Sequence, residues 1–301
     1  MEFKSCIHGE NIVKKYKNFE LNVPVVDIPQ GFATALIGEN GAGKSTLLDI
    51  LAGIKLDYKG NLKFFDKFDD HDREVNPEVK NRIGYEGTGN YYLPSWTIKQ
   101  GREIQSLLFD NFDEKKYIDI CNKLEVPADD GKKISDLSDG NNMKLKLAGV
   151  FARKTDVLLL DEPASPLDPL MRDKLCEMIR SYLLLDEGNK SVLFSTHNIA
   201  DMEAVTDYAI IVENGNVVES GFSEELKEKY TVVKGDKKDE EAASKVLYTI
   251  TSNNFGFEGM ALTKDLEALK GLDVVTEMPT LSQVCVAVMK HNSKLYTGSI
   301  L

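Results

Sequence analysis

Gly38-Glu-Asn-Gly-Ala-Gly43-Lys44-Ser45 lies between an apolar run, Phe32-Ala-Thr-Ala-Leu-Ile37, and a segment of helical spacing that begins near Lys44. The octet fills every fixed position of G-x-x-x-x-G-K-[ST]. Glycines let the backbone turn tightly and aim successive N–H groups into one concavity suited to anionic oxygens. The helix that follows adds the positive end of its dipole. Lys44 has the reach and charge for β- and γ-phosphates, and the Ser45 hydroxyl is a hard oxygen ligand for Mg²⁺. Gly38, Glu39, Asn40, Gly41, Ala42, Gly43, Lys44, Ser45 and Thr46 are therefore the expected phosphate cradle.

Outward from this loop, short apolar runs alternate with helical patterns through roughly the first 220 residues. Arg82-Ile-Gly-Tyr85, Val157-Leu-Leu-Leu160 and Ser191-Val-Leu-Phe-Ser195 read as buried strands. Leu175, Met178, Ile179 and Tyr182 recur at helical spacing between the last two. Strand, crossover helix and strand predict an α/β fold, a mostly parallel sheet with helices on its faces. Residues 88–150 carry helical patterns instead (Ile98 to Phe109, Glu114 to Leu124, Asn141 to Phe151) and read as a helical subdomain inserted into the sheet domain. The polar stretch Lys234 to Glu241 reads as a linker or exposed turn. Beyond it, Val246 to Thr251 and Asp273 to Thr276 suggest strands, and Leu281, Val284, Cys285 and Val288 the apolar face of a last helix. The expected division is residues 1–224 and a small α+β domain over 225–301.

Composition narrows the partners. A formal charge of −12 argues against nucleic acid, whose phosphates need clustered Lys and Arg. Cys6, Cys121, Cys176 and Cys285 are widely spaced and read as reduced thiols of a cytosolic protein. The N-terminus lacks the apolar core of a signal peptide, and no run approaches the roughly 18 apolar residues of a membrane span. The expected location is cytoplasmic, with any membrane role reached through another protein.

Val157-Leu-Leu-Leu-Asp161-Glu162 is an apolar strand ending in two carboxylates. Beside a phosphate loop, Asp161 is placed to hold the Mg²⁺ shell and Glu162 to polarise an attacking water. Ser195-Thr-His197 ends another strand at the edge where ligands of open α/β sheets collect. His197 is thereby a candidate to sense the γ-phosphate or orient Glu162. His8, His71 and His291 read as structural.

Leu137-Ser-Asp-Gly-Asn141 stands immediately before a helical pattern, and its Ser138 precedes Asp161 by 23 positions. With this element the chain resembles, over residues 1 to about 225, the ATP-binding subunit of ABC transporters, whose L-S-G-G-Q motif lies at about this distance before the aspartate. Tyr16 takes the place of the family's adenine-stacking aromatic. Ser165-Pro-Leu-Asp168 looks like the D-loop that links two sites of a dimer, and His197 takes the switch-histidine place. Val212-Glu-Asn-Gly-Asn-Val217 looks like the hairpin that closes the cassette. The resemblance implies ATP and Mg²⁺ as ligands and ATP hydrolysis as the activity. Its partners would be a second cassette, whose Ser138 and Gly140 complete the site, and an integral-membrane permease. The expected placement is peripheral, on the inner face of the cell membrane.

Two motifs depart from the family pattern. Asp139 replaces the first glycine of L-S-G-G-Q and Asn141 its glutamine; Asp139 brings a negative charge near the partner's ATP. After the strand Arg82-Ile-Gly-Tyr85 the run Glu86-Gly-Thr88-Gly puts Thr88 where the family has a Mg²⁺-touching Gln. The C-terminal extension and this altered loop resemble bacterial exporters more than importers. The aromatic segment Tyr91 to Trp96 lies where a helical subdomain would meet a permease. Two other readings compete: a soluble ABC ATPase of ribosomes or DNA, disfavoured by the acidic charge and single cassette, and a regulatory ATP-binding module with little turnover.

Overall fold

The computed structural model describes residues 3–70, 76–87, 89, 92–127 and 130–293. Ten strands form one curled sheet: β1 (Ser5–Lys15), β2 (Glu20–Pro29), β3 (Ala33–Ile37), β4 (Lys59–Phe64), β5 (Phe68–Asp69), β6 (Ile83–Glu86), β7 (Val157–Leu160), β8 (Ser191–Thr196), β9 (Tyr208–Glu213) and β10 (Asn216–Phe222). Their order is β5-β4-β1-β2-β10-β9-β3-β8-β7-β6. From β9 to β6 every neighbouring pair is parallel. These strands are short, almost wholly apolar and buried on both faces, as a parallel sheet covered by helices requires.

The other half of the sheet is chiefly antiparallel, built on the β1–β2 hairpin with β4 beside it. The sequence patterns did not foresee it. Bulges in β1 break the two-residue alternation between Ser5 and Ile7 and again between Glu10 and Val13. β9 returns into β10 through Asn214 (φ 48°) and Gly215 (φ 81°), the left-handed pair that a tight hairpin demands.

Between β6 and β7 the chain leaves the sheet for helices Ile98–Leu108, Glu114–Lys123 and Asp139–Phe151, each within about two residues of its expected span. The first starts in a capping box, with Thr97 and Gln100 satisfying each other's backbone donors. Side chains of this insert share a core with one face of the parallel strands, including Ala35, Ile37, Leu158 and Leu160. Leu36, Val157 and Leu159 point to the opposite face and pack with the antiparallel half.

After Phe222, strands β11 (Tyr230–Asp236), β12 (Thr249–Ser252), β13 (Gly256–Leu262) and β14 (Val274–Glu277) make a second, antiparallel sheet in the order β12-β13-β11-β14. The stretch from Lys234 is thus not a linker. Lys234 to Asp236 are paired strand, and Glu240 and Glu241 open the short helix Glu240–Ser244. Their charges mislead because Lys234 is neutralised across the sheet by Glu277, 2.7 Å away. The last helix, Leu281–Asn292, buries Leu281, Val284, Cys285, Ala287 and Val288 in the core that also holds Ala209, Ile211, Ile199 and Met202. Its first turn is held by Glu203, whose carboxylate accepts from Leu281 N (2.8 Å) and Ser282 N (3.3 Å). Among the described residues no helix is long and apolar enough to cross a membrane.

Candidate functional site

β3 delivers the chain into the glycine-rich loop, and the helix Lys44–Ala52 leaves it. Gly43, at φ 108°, occupies a left-handed backbone that an L side chain strains to adopt, and a Cβ there would meet the Phe19 ring at 2.9 Å. A Cβ on Gly38 would run into the Val212 carbonyl at 2.3 Å. Glycine is therefore a packing requirement at both positions and a conformational one as well at Gly43.

Lys44 is 95% buried within this turn, at 5% exposure. Its Nζ donates to the carbonyls of Gly38 (2.7 Å) and Glu39 (3.2 Å) and lies 3.2 Å from Glu162 Oε1. Ser45 and Thr46 follow, half-buried, in the first helical turn.

β8 runs between β3 and β7, so the loop, the acidic pair and the histidine emerge at one sheet edge. Asp161 is buried just past β7. Ser195 Oγ donates to its Oδ1 at 2.5 Å, while its Oδ2 is buried without a hydrogen-bond partner. Glu162 adopts a left-handed φ of 51°, uncommon for a non-glycine residue and here fixed by its N–H donating to Ser195 Oγ at 2.8 Å. Its Oε2 lies 2.8 Å from His197 Nδ1. Glu162 thereby sits between a cation and an imidazole, the arrangement a water-orienting carboxylate needs.

An orphaned buried carboxylate oxygen on Asp161 and the Ser45 hydroxyl are hard donors that fit Mg²⁺. Among the described residues no cluster of three or more His, Cys, Asp or Glu is arranged to hold a metal by itself, so such an ion needs ligand oxygens to complete its shell. Thr88, the third expected metal contact, lies outside the described residues.

The adenine-stacking candidate Tyr16 closes the β1–β2 turn through its N–H to Phe19 O (2.7 Å) and is 43% exposed. Its ring is accessible, with Lys14 Nζ 5.3 Å from the centroid. Ser138 caps the helix Asp139–Phe151, its Oγ accepting from Asn141 N at 3.3 Å. Gly140 packs so closely on the D-loop that a Cβ would stand 3.0 Å from Pro166 O. Asp139 is exposed in the first helical turn, where the dipole favours a negative charge. Asp168 caps the next helix, Pro169–Leu183, as an N-cap aspartate followed by proline should.

The structure adds residues that sequence reasoning missed. Ser195 is one. Arg172 is another: its guanidinium donates to Ala164 O and Leu167 O in the D-loop and lies 2.6 Å from Asp201, just past His197. Glu86, noted only as a neighbour of Thr88, is buried at the end of β6 and paired with Lys146 of the Ser138-capped helix at 3.3 Å. Burial pushes its carboxyl up to about 7, against the pull of Lys146. Lys146 also donates to Gly89 O at 3.1 Å, tying the helical insert to the loop after β6. A polar residue at or next to the carboxyl end of a buried strand was the available signal for Ser195 and Glu86.

Of the other histidines, His8 lies 2.7 Å from Asp27, and His291 stacks on Tyr248 at 3.7 Å, both structural; His71 lies outside the described residues. In the aromatic segment Tyr92 is buried and Trp96 is partly buried against the core, while Tyr91 lies outside the described residues.

Residues 21–165 match the family model described as ABC transporter. The chain is 30% identical over 202 residues to the energy-coupling factor transporter ATP-binding protein EcfA2 of Methanospirillum hungatei, covering 66% of this chain and 50% of that protein. It is 28% identical over 241 residues to human ATP-binding cassette sub-family A member 9, covering 76% of this chain and 14% of that protein. It thus spans half or less of the length of these two relatives. The dimeric structure of the bacterial ABC transporter cassette MJ0796 superposes with a TM-score of 0.60 at 20% identity, covering 72% of this chain and 98% of that one. Its loop, its acidic pair and the match over residues 21–165 identify in this chain an ABC transporter nucleotide-binding cassette of the P-loop fold.

Proposed function

We propose that this chain is the ATP-hydrolysing subunit that energises an ABC transporter, working as a pair of cassettes against a separate integral-membrane permease. The observation that carries this reading is that Glu162 lies 3.2 Å from Lys44 and 2.8 Å from His197 at the edge of β3, β8 and β7.

In this reading the N–H groups from Gly38 to Thr46 cradle the phosphates of ATP and Lys44 turns from Glu162 toward the β- and γ-phosphates. Tyr16 stacks on adenine. Ser45 and Asp161, with Thr88, would hold Mg²⁺, which would supply charge neutralisation to the phosphates. Glu162 accepts a proton from the attacking water, and His197 keeps its carboxylate aimed. Ser138 and Gly140 of the second cassette, backed by a helix N-terminus, close over the γ-phosphate. ATP thereby stabilises the closed pair, and hydrolysis removes that stabilisation.

The helical insert is the face assigned to the permease; Leu93, Leu107 and Leu108 are exposed on it. Through that contact the subunit would sit peripherally on the inner face of the membrane. Residues 1–224 form the cassette in this reading, and 225–301 an accessory domain. Export is the direction favoured by the C-terminal extension and by Thr88 at the Gln position. The net charge of −12 argues against nucleic acid as the main partner.

The test is steady-state ATPase activity of the purified chain with its permease. Wild type is expected to turn over MgATP, and Glu162→Gln to stop turnover while accumulating an ATP-dependent dimer in size-exclusion chromatography. Equal turnover by the two proteins would reject the assignment of Glu162.

A further inference from the structure

Every residue of β8 is buried, and a buried hydroxyl there must be hydrogen-bonded or cost stability. Its two serines meet this demand at opposite ends. Ser191 Oγ accepts from Gly31 N at 3.0 Å, a closure at the strand's start. Ser195 Oγ stands between the two acidic residues of the neighbouring strand tip, 2.5 Å from Asp161 Oδ1 and 2.8 Å from Glu162 N.

The direction of these bonds is forced. A backbone N–H can only donate, so Ser195 accepts from Glu162. Its single proton then goes to Asp161. The Asp161 carboxylate is thereby fixed with Oδ1 occupied and Oδ2 buried and unpartnered. The same oxygen anchors the peptide N–H of Glu162, whose left-handed backbone directs its side chain to Lys44 and His197. Left-handed geometry is unfavourable for an ordinary residue, so it persists only where neighbours over-determine it.

We infer that Ser195 is a positioning residue for the ATPase reaction: one hydroxyl reserves Asp161 Oδ2 for the cation of the bound nucleotide and sets the backbone from which Glu162 addresses water. This rests on the proposed Mg²⁺ role of Asp161. Ser195 touches neither nucleotide nor water; it acts through the two carboxylates. Outer partners of this kind typically change metal affinity by about 10- to 100-fold when removed.

The experiment compares wild type, Ser195→Ala, Ser195→Cys and Asp161→Asn in two measurements. One is nucleotide affinity with Mg²⁺ and with EDTA; the other is the Mg²⁺ dependence of turnover at saturating ATP. For Ser195→Ala the Mg²⁺ midpoint is expected to rise about tenfold and the Mg²⁺-dependent gain in ATP affinity to shrink, with affinity in EDTA unchanged. Ser195→Cys, which keeps the shape but is a weak donor, is expected to shift the same way by less, and is read instead if the alanine variant does not fold. If Asp161→Asn moves the midpoint and neither Ser195 variant does, the inference about Ser195 fails alone. If Asp161→Asn leaves it unmoved, the metal reading beneath it fails too. Equal weakening with and without Mg²⁺ in the Ser195 variants would assign the hydroxyl to general packing and overturn its positioning role.

Discussion

The two ends of the parallel strands are built on opposite principles. At the amino ends of β3, β7 and β8 polar groups are closed in pairs. Asp207 accepts from Ala33 N at 2.8 Å, Ser191 from Gly31 N at 3.0 Å, and Asp156 is held between Arg82 (2.5 Å) and Lys190 (2.7 Å). At the carboxyl ends the groups are left open or strained. Asp161 keeps an unpartnered buried oxygen, Glu162 is left-handed, and Lys44 is a buried cation shared among two carbonyls and a carboxylate. One set of strands thus spends polar chemistry on stability at one edge and withholds it for a ligand at the other. Strain and incomplete pairing of this sort gather where binding is to occur.

That contrast can be broken by substitution at each end. The largest effect belongs to Glu162→Gln, expected to lower turnover about 10²- to 10⁴-fold with a melting temperature equal to or above wild type. A melting temperature several degrees lower would mean that the open edge is a structural pairing after all. Lys44→Ala is next. Loss of a charged hydrogen bond to phosphate is expected to weaken ATP binding about 10- to 100-fold, read by calorimetry; unchanged affinity would dismiss the lysine as a loop brace.

At the amino edge the signs reverse. Asp156→Asn is expected to cost about 1–2 kcal/mol in denaturant unfolding while the turnover per folded molecule stays at the wild-type value. Burial by itself would push the Asp156 carboxyl up, but Lys190 and Arg82 hold it below its ordinary value of 3.8. A carboxyl lowered in the folded state contributes stability above its unfolded pKa and loses it as pH falls through the folded one. Wild type should therefore lose stability on acidification below about pH 4 more steeply than Asp156→Asn. Parallel curves would remove Asp156 from the account. The smallest effect is expected from Tyr16→Ala, a few-fold rise in KM for ATP at unchanged kcat, as the loss of about 1 kcal/mol of ring stacking predicts.

The parallel half of the fold was legible because its signal is local. β7 begins and ends where its apolar run does, at Val157 and Leu160, and the last helix buries the four residues singled out by spacing. The antiparallel half was not legible, since bulges shift the alternation in β1 and exposed residues such as Glu10 and Asn11 interrupt it. The linker reading of the stretch after Lys234 failed because charges neutralised across a sheet look like charges in a loop, while its other reading, an exposed turn, holds at Lys237 and Lys238. The phosphate loop and the acidic pair were readable from residue type and spacing, and Lys44, Glu162 and His197 do come together, whereas Tyr16, Thr88, Ser138 and Gly140 were named only through the family resemblance. Residues acting across strands were hidden: Ser195 gains meaning only when β8 lies beside β7, and Arg172 only when the D-loop and Asp201 come together.

The docking of the last helix has a consequence for how the protein is made. Every motif of the nucleotide site has been translated by Glu213, yet the surface under Ile199, Met202 and Ile211 is covered only when Leu281–Val288 arrive. At elongation rates of about 5–20 residues per second, that interval lasts several seconds. During it, a chain already carrying its phosphate loop presents an open apolar face, and Glu203 waits without the two N–H groups it will cap. Apolar surface exposed in such a window is prone to aggregation, and a premature stop within it would release a chain that carries the phosphate loop with this face uncovered.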